Sequence, residues 1–315
     1  MKTTTKKTTA ARDRWFVIAA ILCLAPGCNS GDGPIQSKSW STGKPVVAVT
    51  NYPLKYFVDQ IGGGQVEVLF PVDADIDPAF WQPSAEAIGQ LQQADLVLLN
   101  GADFETWLTG VTLSQSKLAD TTREVSDQLI ELEDGVVHQH GPEGEHSHSG
   151  YANTTWLDPQ IAVGQARAAR DELAKLAPEH KTEFDSRFAE LEKQLREIDG
   201  QLTQLAQLLG QQHIIGSHPV YQYLARRMNL NMDSVHFEPG EEPTIEQWKV
   251  FDELAAANET KLMLWEGEPV EATRQQLADR EITVVVFEPM GNQPAGGDYV
   301  TGMLANIERL KSAAQ

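Results

Sequence analysis

The chain carries eight histidines, and four of them, His138, His140, His146 and His148, fall within the single run VVHQHGPEGEHSHSG. Imidazoles at His-x-His spacing on a stretch rich in Gly and Pro can converge on a divalent transition metal, Zn2+ above all, with Cu2+ and Ni2+ also suited to such donors. Glu143 and Glu145 interleave carboxylate oxygens. Nothing within the run orients the rings toward one tetrahedral point, so the expectation is affinity for metal and not a rigid centre.

His218 is a different kind of candidate. It follows the apolar run HIIGS and precedes Pro219, which puts it at the carboxyl end of a predicted strand, where open α/β sheets hold their ligands. Glu288 stands in the equivalent place after ITVVVF, also before a proline. A neutral imidazole and a carboxylate at two strand ends of one sheet make half of a metal site. Other chemistries lack a motif: Ser217 beside His218 is not a nucleophile with its base, there is no Gly-x-Ser-x-Gly elbow, and neither GxGxxG nor a Walker A sequence occurs. Trp81, Trp107, Trp156, Trp248 and Trp265 sit beside strand ends or on apolar helix faces and are expected in the core, not on a sugar-binding platform.

These side chains need elements to hold them. VVAVT (Val46 to Thr50), VEVLF (Val66 to Phe70) and DLVLL (Asp95 to Leu99) are near-continuous β-rich runs, as expected of strands buried on both faces, with helices over Leu54 to Ile61 and Ser84 to Gln93 between them. The order β-α-β-α-β argues a parallel sheet. The same grammar returns in His213 to Ser217, Ser234 to Phe237, Leu262 to Glu266 and Ile282 to Phe287, separated by helical stretches Val220 to Met228, Thr244 to Ala257 and Pro269 to Arg280 and closed by a helix from about Tyr299 to Ala313. Two parallel-sheet α/β lobes are therefore predicted.

Between the lobes, Pro159 to Gln211 has no strand signal and is rich in strong helix formers, with Pro178 placed to start a second helix. Phe184, Phe188, Leu191, Leu195, Ile198, Leu202, Leu205 and Leu209 step by three or four and form one apolar stripe. The expectation is a rigid spine of roughly 48 Å packed across both lobes, in preference to a coiled-coil dimer. The chain thus divides into an N-terminal α/β lobe over 45–177 with a His-rich loop over 138–150, a spine over 178–211 and a C-terminal α/β lobe over 212–315.

Ahead of the lobes, Met1 to Arg14 holds five basic residues and one acid and runs into the apolar stretch Trp15 to Ala25. That stretch is too short for an ordinary membrane-spanning helix and fits a secretory signal over residues 1–27. It ends in LAPGC, which resembles a bacterial lipobox with Cys28 as the lipidated first residue, and residues 28–44 read as a polar tether. Cys23 would leave with the signal, so no internal disulfide can form. Over all 315 residues the formal net charge is -20, and removal of the signal makes it -24. Such acidity argues against nucleic acid as partner, and 41% hydrophobic with 22% charged residues fits an ordinary globular core and no polytopic membrane protein.

From about Val46 to its end, the chain resembles the exported metal-binding receptors of zinc and manganese ABC importers, the cluster A-I family. The resemblance rests on NYPLKYFVDQIGGGQVEV, DPAFWQPSAEAIGQLQQADLVLLNGADFETWL, TTWLDPQIA, GSHPVYQYLARR, EPGEEPT, VVVFEPMG and GDYVTGMLANIERL in that order. It implies two α/β lobes joined by a long spine helix with a metal cleft between them, Zn2+ or Mn2+ as the captured ion, and an ABC permease with its cytoplasmic ATPase as partners. It also implies a monomer, anchored by lipid in the periplasm or on the cell surface, and no catalysis.

The same resemblance implies four ligands. His218 and Glu288 match the two of the second lobe, whereas the first-lobe positions hold Ala79 (DPAFWQPS) and Thr154 (NTTWLDP) in place of histidines. Ala offers no donor and a Thr hydroxyl is a poor ligand for Zn2+. Three remedies are open: the His-rich loop supplies nitrogens, Asp75, Asp77 or His236 completes an altered site, or the cleft has turned to a metal chelate or to service as a surface metal buffer or adhesin. A metal-dependent chelatase-like enzyme is the rival from another class.

Overall fold

The structure, a computed structural model, describes residues 43–132, 137–139, 145–147 and 150–315, with 137–139 and 145–147 described as backbone only. The expected signal, Cys28 and nearly all of the tether lie outside the described residues, as do His140 and His148.

The first sheet contains β1 (Val46–Val49), β2 (Glu67–Leu69), β3 (Leu96–Leu99) and β4 (Leu118–Asp120) in the order β2-β1-β3-β4, every pair parallel. Helix α1 (Tyr52–Gly62) follows β1, and α2 (Ala85–Gln93) leads into β3. Asn51 starts α1 by accepting the Leu54 N–H at 2.9 Å, which satisfies one of the orphan donors of the first turn. Gly63 ends it with φ +54°, a left-handed cap that a side chain resists. Period-2 alternation divides the sheet: Val47 and Val49 face the main core, Val46 and Ala48 the outer cluster with Trp81, Leu91 and Trp107.

Two short antiparallel ladders follow. One pairs β5 (Glu131–Leu132) with β8 (Gly150–Tyr151), and between them β6 (Val137–Gln139) pairs with β7 (Glu145–Ser147). The His-rich segment, expected as a loop, therefore contains a short antiparallel strand pair.

Helix α3 (Pro159–Leu176) opens on an Asp158 cap and is separated by a short turn at Pro178–His180 from α4 (Lys181–Leu209). The 29 residues of α4 span about 44 Å. All eight apolar stripe residues from Phe184 to Leu209 are buried.

The second sheet holds β9 (His213–Gly216), β10 (Asn231–Ser234), β11 (Leu262–Trp265) and β12 (Thr283–Val286) in the order β10-β9-β11-β12, again parallel throughout. Helices α5 (Gln222–Met228), α6 (Ile245–Ala257), α7 (Glu271–Asp279) and α8 (Tyr299–Ala313) complete the lobe. Helix α4 packs on α1 and α3 from one side of the chain and on α5 and α8 from the other. As a result one apolar cluster runs from Val47, Phe57 and Leu98 through Leu195 and Leu202 to Ile214, Leu264 and Tyr299. The lobes share a core; each sheet keeps a smaller cluster on its outer face, the second around Phe237, Trp248, Phe251 and Trp265. Among the described residues no helix is long and apolar enough to cross a membrane.

One expected strand is shifted. β10 lies at Asn231–Ser234 and not at Ser234–Phe237, because the edge of the sheet accepts the polar segment while Val235 and Phe237 are buried just past it.

Candidate metal site

The carboxyl edge of the second sheet gathers the chemistry. Pairing continues past the strand ends: Ser217 N–H donates to Leu264 O at 2.8 Å, Phe237 N–H to Ser217 O at 2.8 Å and Phe287 N–H to Trp265 O at 2.7 Å. Each strand thereby delivers one residue to the same edge, His236 from β10, His218 from β9, Glu266 from β11 and Glu288 from β12. The chain turns toward His218 over Gly216, where an added Cβ would lie 2.8 Å from Met232 Cε and 3.2 Å from the His218 carbonyl oxygen.

His218 is 7% exposed. Its Nδ1 lies 3.8 Å from Glu266 Oε1 and 3.9 Å from Glu238 Oε1, and its ring stands edge-on to that of His236 with centroids 5.4 Å apart. Burial pushes the Glu266 carboxyl up to about 8, and the negative charges of Asp77 and Glu238 add to that rise. Asp77 belongs to the first lobe, so the field at Glu266 comes from both. Beneath lies Tyr221, fully buried with its hydroxyl donating to Phe287 O at 2.8 Å; burial, then Glu266 and Glu288, raise its phenol well above the ordinary value. Glu288 is held by its backbone: its N–H donates to Asn306 Oδ1 at 3.1 Å, and Asn306 Nδ2 donates to its carbonyl at 2.7 Å.

The first lobe presents no imidazole at the corresponding places. Ala79 sits in a single turn, Pro78–Phe80, capped by Asp77, whose Oδ1 accepts the Ala79 N–H at 2.9 Å. Thr154 is 8% exposed, and its hydroxyl donates to Val220 O across the lobes at 2.6 Å. More bonds stitch the same seam: Trp156 Nε1 to Pro289 O at 2.6 Å, Tyr223 Oη to Ala152 O at 2.8 Å, and Asn292 Nδ2 to Asp73 O at 2.7 Å.

Below the seam the first sheet ends in a buried polar network. Glu105 accepts from Thr50 Oγ1 at 2.5 Å and from Asn100 N–H at 2.7 Å, while Asn100 holds the Asn153 carbonyl at 3.0 Å and so positions the segment carrying Thr154. Full burial raises the Glu105 carboxyl to about 7 against the pull of these donors.

His218 and Glu288 thus lie on one sheet edge, as their strand-end positions imply. His138 and His146 face each other as Cα partners on β6 and β7. Glu266 and Glu238 are the site residues that sequence reading passes over, and Glu266 carries the same signal as Glu288, an acid directly after an apolar strand. The donors fit a transition metal in kind, imidazole nitrogen and carboxylate oxygen. As the side chains stand, no three His, Cys, Asp or Glu among the described residues form a ready metal cluster.

Comparison with known proteins gives the family. The model described as zinc-uptake complex component A, periplasmic, matches residues 47–313. The zinc-binding lipoprotein AdcA of Streptococcus pneumoniae is 26% identical over 289 residues, covering 88% of this chain and 57% of its own length. The chain thus spans little more than half of that relative. The high-affinity zinc uptake system protein ZnuA of Bacillus subtilis is 24% identical and is covered over 96% of its length, with 95% of this chain. Among solved structures, the Zn(II)-bound ZnuA-like domain of S. pneumoniae AdcA superposes with a TM-score of 0.73 at 23% identity, covering 86% of this chain and 98% of that domain; at that identity the likeness speaks for the fold.

Proposed function

The chain belongs to the zinc-uptake complex component A family, and from that premise we propose that it is an exported receptor that captures a divalent transition metal, Zn2+ first and Mn2+ second, and delivers it to an ABC permease driven by a cytoplasmic ATPase. The family is one of uptake components, which removes the chelatase alternative. In this reading residues 1–27 are the signal, Cys28 bears the lipid, residues 28–44 are the tether and a monomer works at the outer face of the membrane or in the periplasm. His218 and Glu288 are ligands from the C-terminal lobe, 212–315, and the loop over 138–150 collects ions for the cleft.

The observation that carries the reading is His218, buried at a strand end with carboxylate oxygens at 3.8 and 3.9 Å and a second imidazole beside it. A buried imidazole among acids suits a cation that neutralises the acids while the ring donates its lone pair. Release follows from docking on the permease, which has to favour a state in which these donors separate.

The test is calorimetric titration of Zn2+, Mn2+ and Cu2+ into the full chain. Wild type is expected to bind Zn2+ with sub-micromolar affinity, and His218→Ala to lose about a hundredfold. Absence of sub-micromolar binding by every metal defeats capture of the free ion. Ala79 and Thr154 favour one second reading, a receptor for metal already held by a small chelator; it predicts tight binding of the chelate and not of the bare ion.

A further inference from the structure

Resting on the metal-receptor reading, we propose that the second lobe replaces the two missing first-lobe ligands from its own sheet, so that His236 and Glu266 join His218 and Glu288 in a site drawn from all four strands of β10-β9-β11-β12.

The sheet supplies the placement. Its hydrogen-bond ladder extends through Phe237, Ser217, Trp265 and Phe287; carried past the strand ends, the register sets His236, His218 and Glu266 side by side, about 4.8 Å per step, with Glu288 one residue further along β12. Contacts already close part of the row. His218 Nδ1 and Glu266 Oε1 are 3.8 Å apart, whereas two donors on a tetrahedral Zn2+, with bonds of 2.0–2.2 Å, sit about 3.4 Å from each other. A shift of roughly half an ångström therefore brings this pair to ligating distance. The imidazole of His236 is perpendicular to that of His218 at 5.4 Å between centroids, an arrangement in which rotation about its side-chain torsions turns a ring nitrogen to the same point.

Glu238 is less suited to the inner set. It lies on the loop beyond His236, its side chain 35% exposed, and its charge serves better at the mouth. The first lobe contributes Asp77 through its field at Glu266 and not through an imidazole. A site built on one lobe also fits the Thr154 hydroxyl, which is engaged with Val220: the residue at the usual ligand position fastens the lobes while the ion is held beside the seam. The donor set is two nitrogens and two oxygens, suited to Zn2+ and harder than a three-imidazole set.

The experiment is Zn2+ calorimetry on the full chain, wild type against Glu266→Gln and His236→Ala, with the melting temperature of each metal-free protein and the visible absorption of its Co2+ complex. Each variant is expected to lose about tenfold or more in affinity and to alter the Co2+ spectrum, while melting within a few degrees of wild type. Glu266→Gln keeps the shape and removes the ability to ionise on a bound cation, and folding failure of one variant leaves the other decisive. Zn2+ affinity and Co2+ spectra unchanged within about twofold in both variants would overturn this ligand set and leave the receptor reading standing. A wild type that binds none of Zn2+, Mn2+ and Cu2+ overturns that reading itself, and this set with it.

Discussion

The hydroxyl of Thr154 donates to the main-chain oxygen of Val220 at 2.6 Å, joining the loop before α3 to the loop after β9, at the position where family resemblance places an imidazole. The bond is largely buried, so removing the donor leaves a carbonyl without its partner. Thr154→Val, which preserves the branched shape, is expected to destabilise the protein by about 1–3 kcal/mol. Urea denaturation reads the difference; an unchanged midpoint would show that the bond contributes nothing.

Glu105 makes stability depend on pH in a defined direction. Its carboxyl is raised by burial from 4.5 to about 7, so the folded protein holds this proton more tightly than the unfolded chain. The contribution is fully present below about 4.5 and is lost as pH rises toward and through 7. Wild type should therefore lose stability between pH 5 and 8 relative to Glu105→Gln, which keeps a neutral side chain in the same network. Parallel stability curves for the two proteins, measured with a chelator present, would contradict the assignment.

The parts of the molecule legible in sequence are those governed by apolar periodicity. The stripe from Phe184 to Leu209 specifies α4 because every member is buried on one face, and the central strands β1, β3, β9 and β11 read as near-continuous apolar runs because both faces are covered. Edges escape that logic. β10 is formed by Asn231–Ser234, three of whose residues are exposed, and β4 by three residues without a buried one; an edge strand needs backbone pairing more than apolar side chains. At the site, strand-end position brings out His218 and Glu288, and the same rule applied to Glu266 would have found it. Glu238 carries no such signal, since its approach to His218 depends on how the loop after His236 folds back.

The shared core predicts how the protein melts. Leu195 is fully buried in the cluster that continues from the first sheet to the second, so Leu195→Ala removes packing common to both lobes and should cost about 2–5 kcal/mol. Because no boundary divides that core, unfolding followed by tryptophan fluorescence and by far-ultraviolet dichroism should remain one coincident transition at a lower midpoint. Two separated transitions would mean that the lobes fold independently in spite of α4.

The histidine-rich segment can be removed without touching the sheets. Leu132 and Gly150 are Cα partners across the β5–β8 ladder, so the chain between them can be replaced by Asn-Gly, which closes a two-residue hairpin turn on such a pair. If the cleft is the tight site and the segment a collector, the shortened protein should keep its sub-micromolar Zn2+ phase and lose only weaker equivalents and some speed of capture. Calorimetric stoichiometry and stopped-flow binding separate these. Loss of the tight phase, with its retention in His218→Ala, would move the site from the sheet edge to the loop; the acidity of the chain, -20 overall, would then steer ions toward the loop and not the cleft.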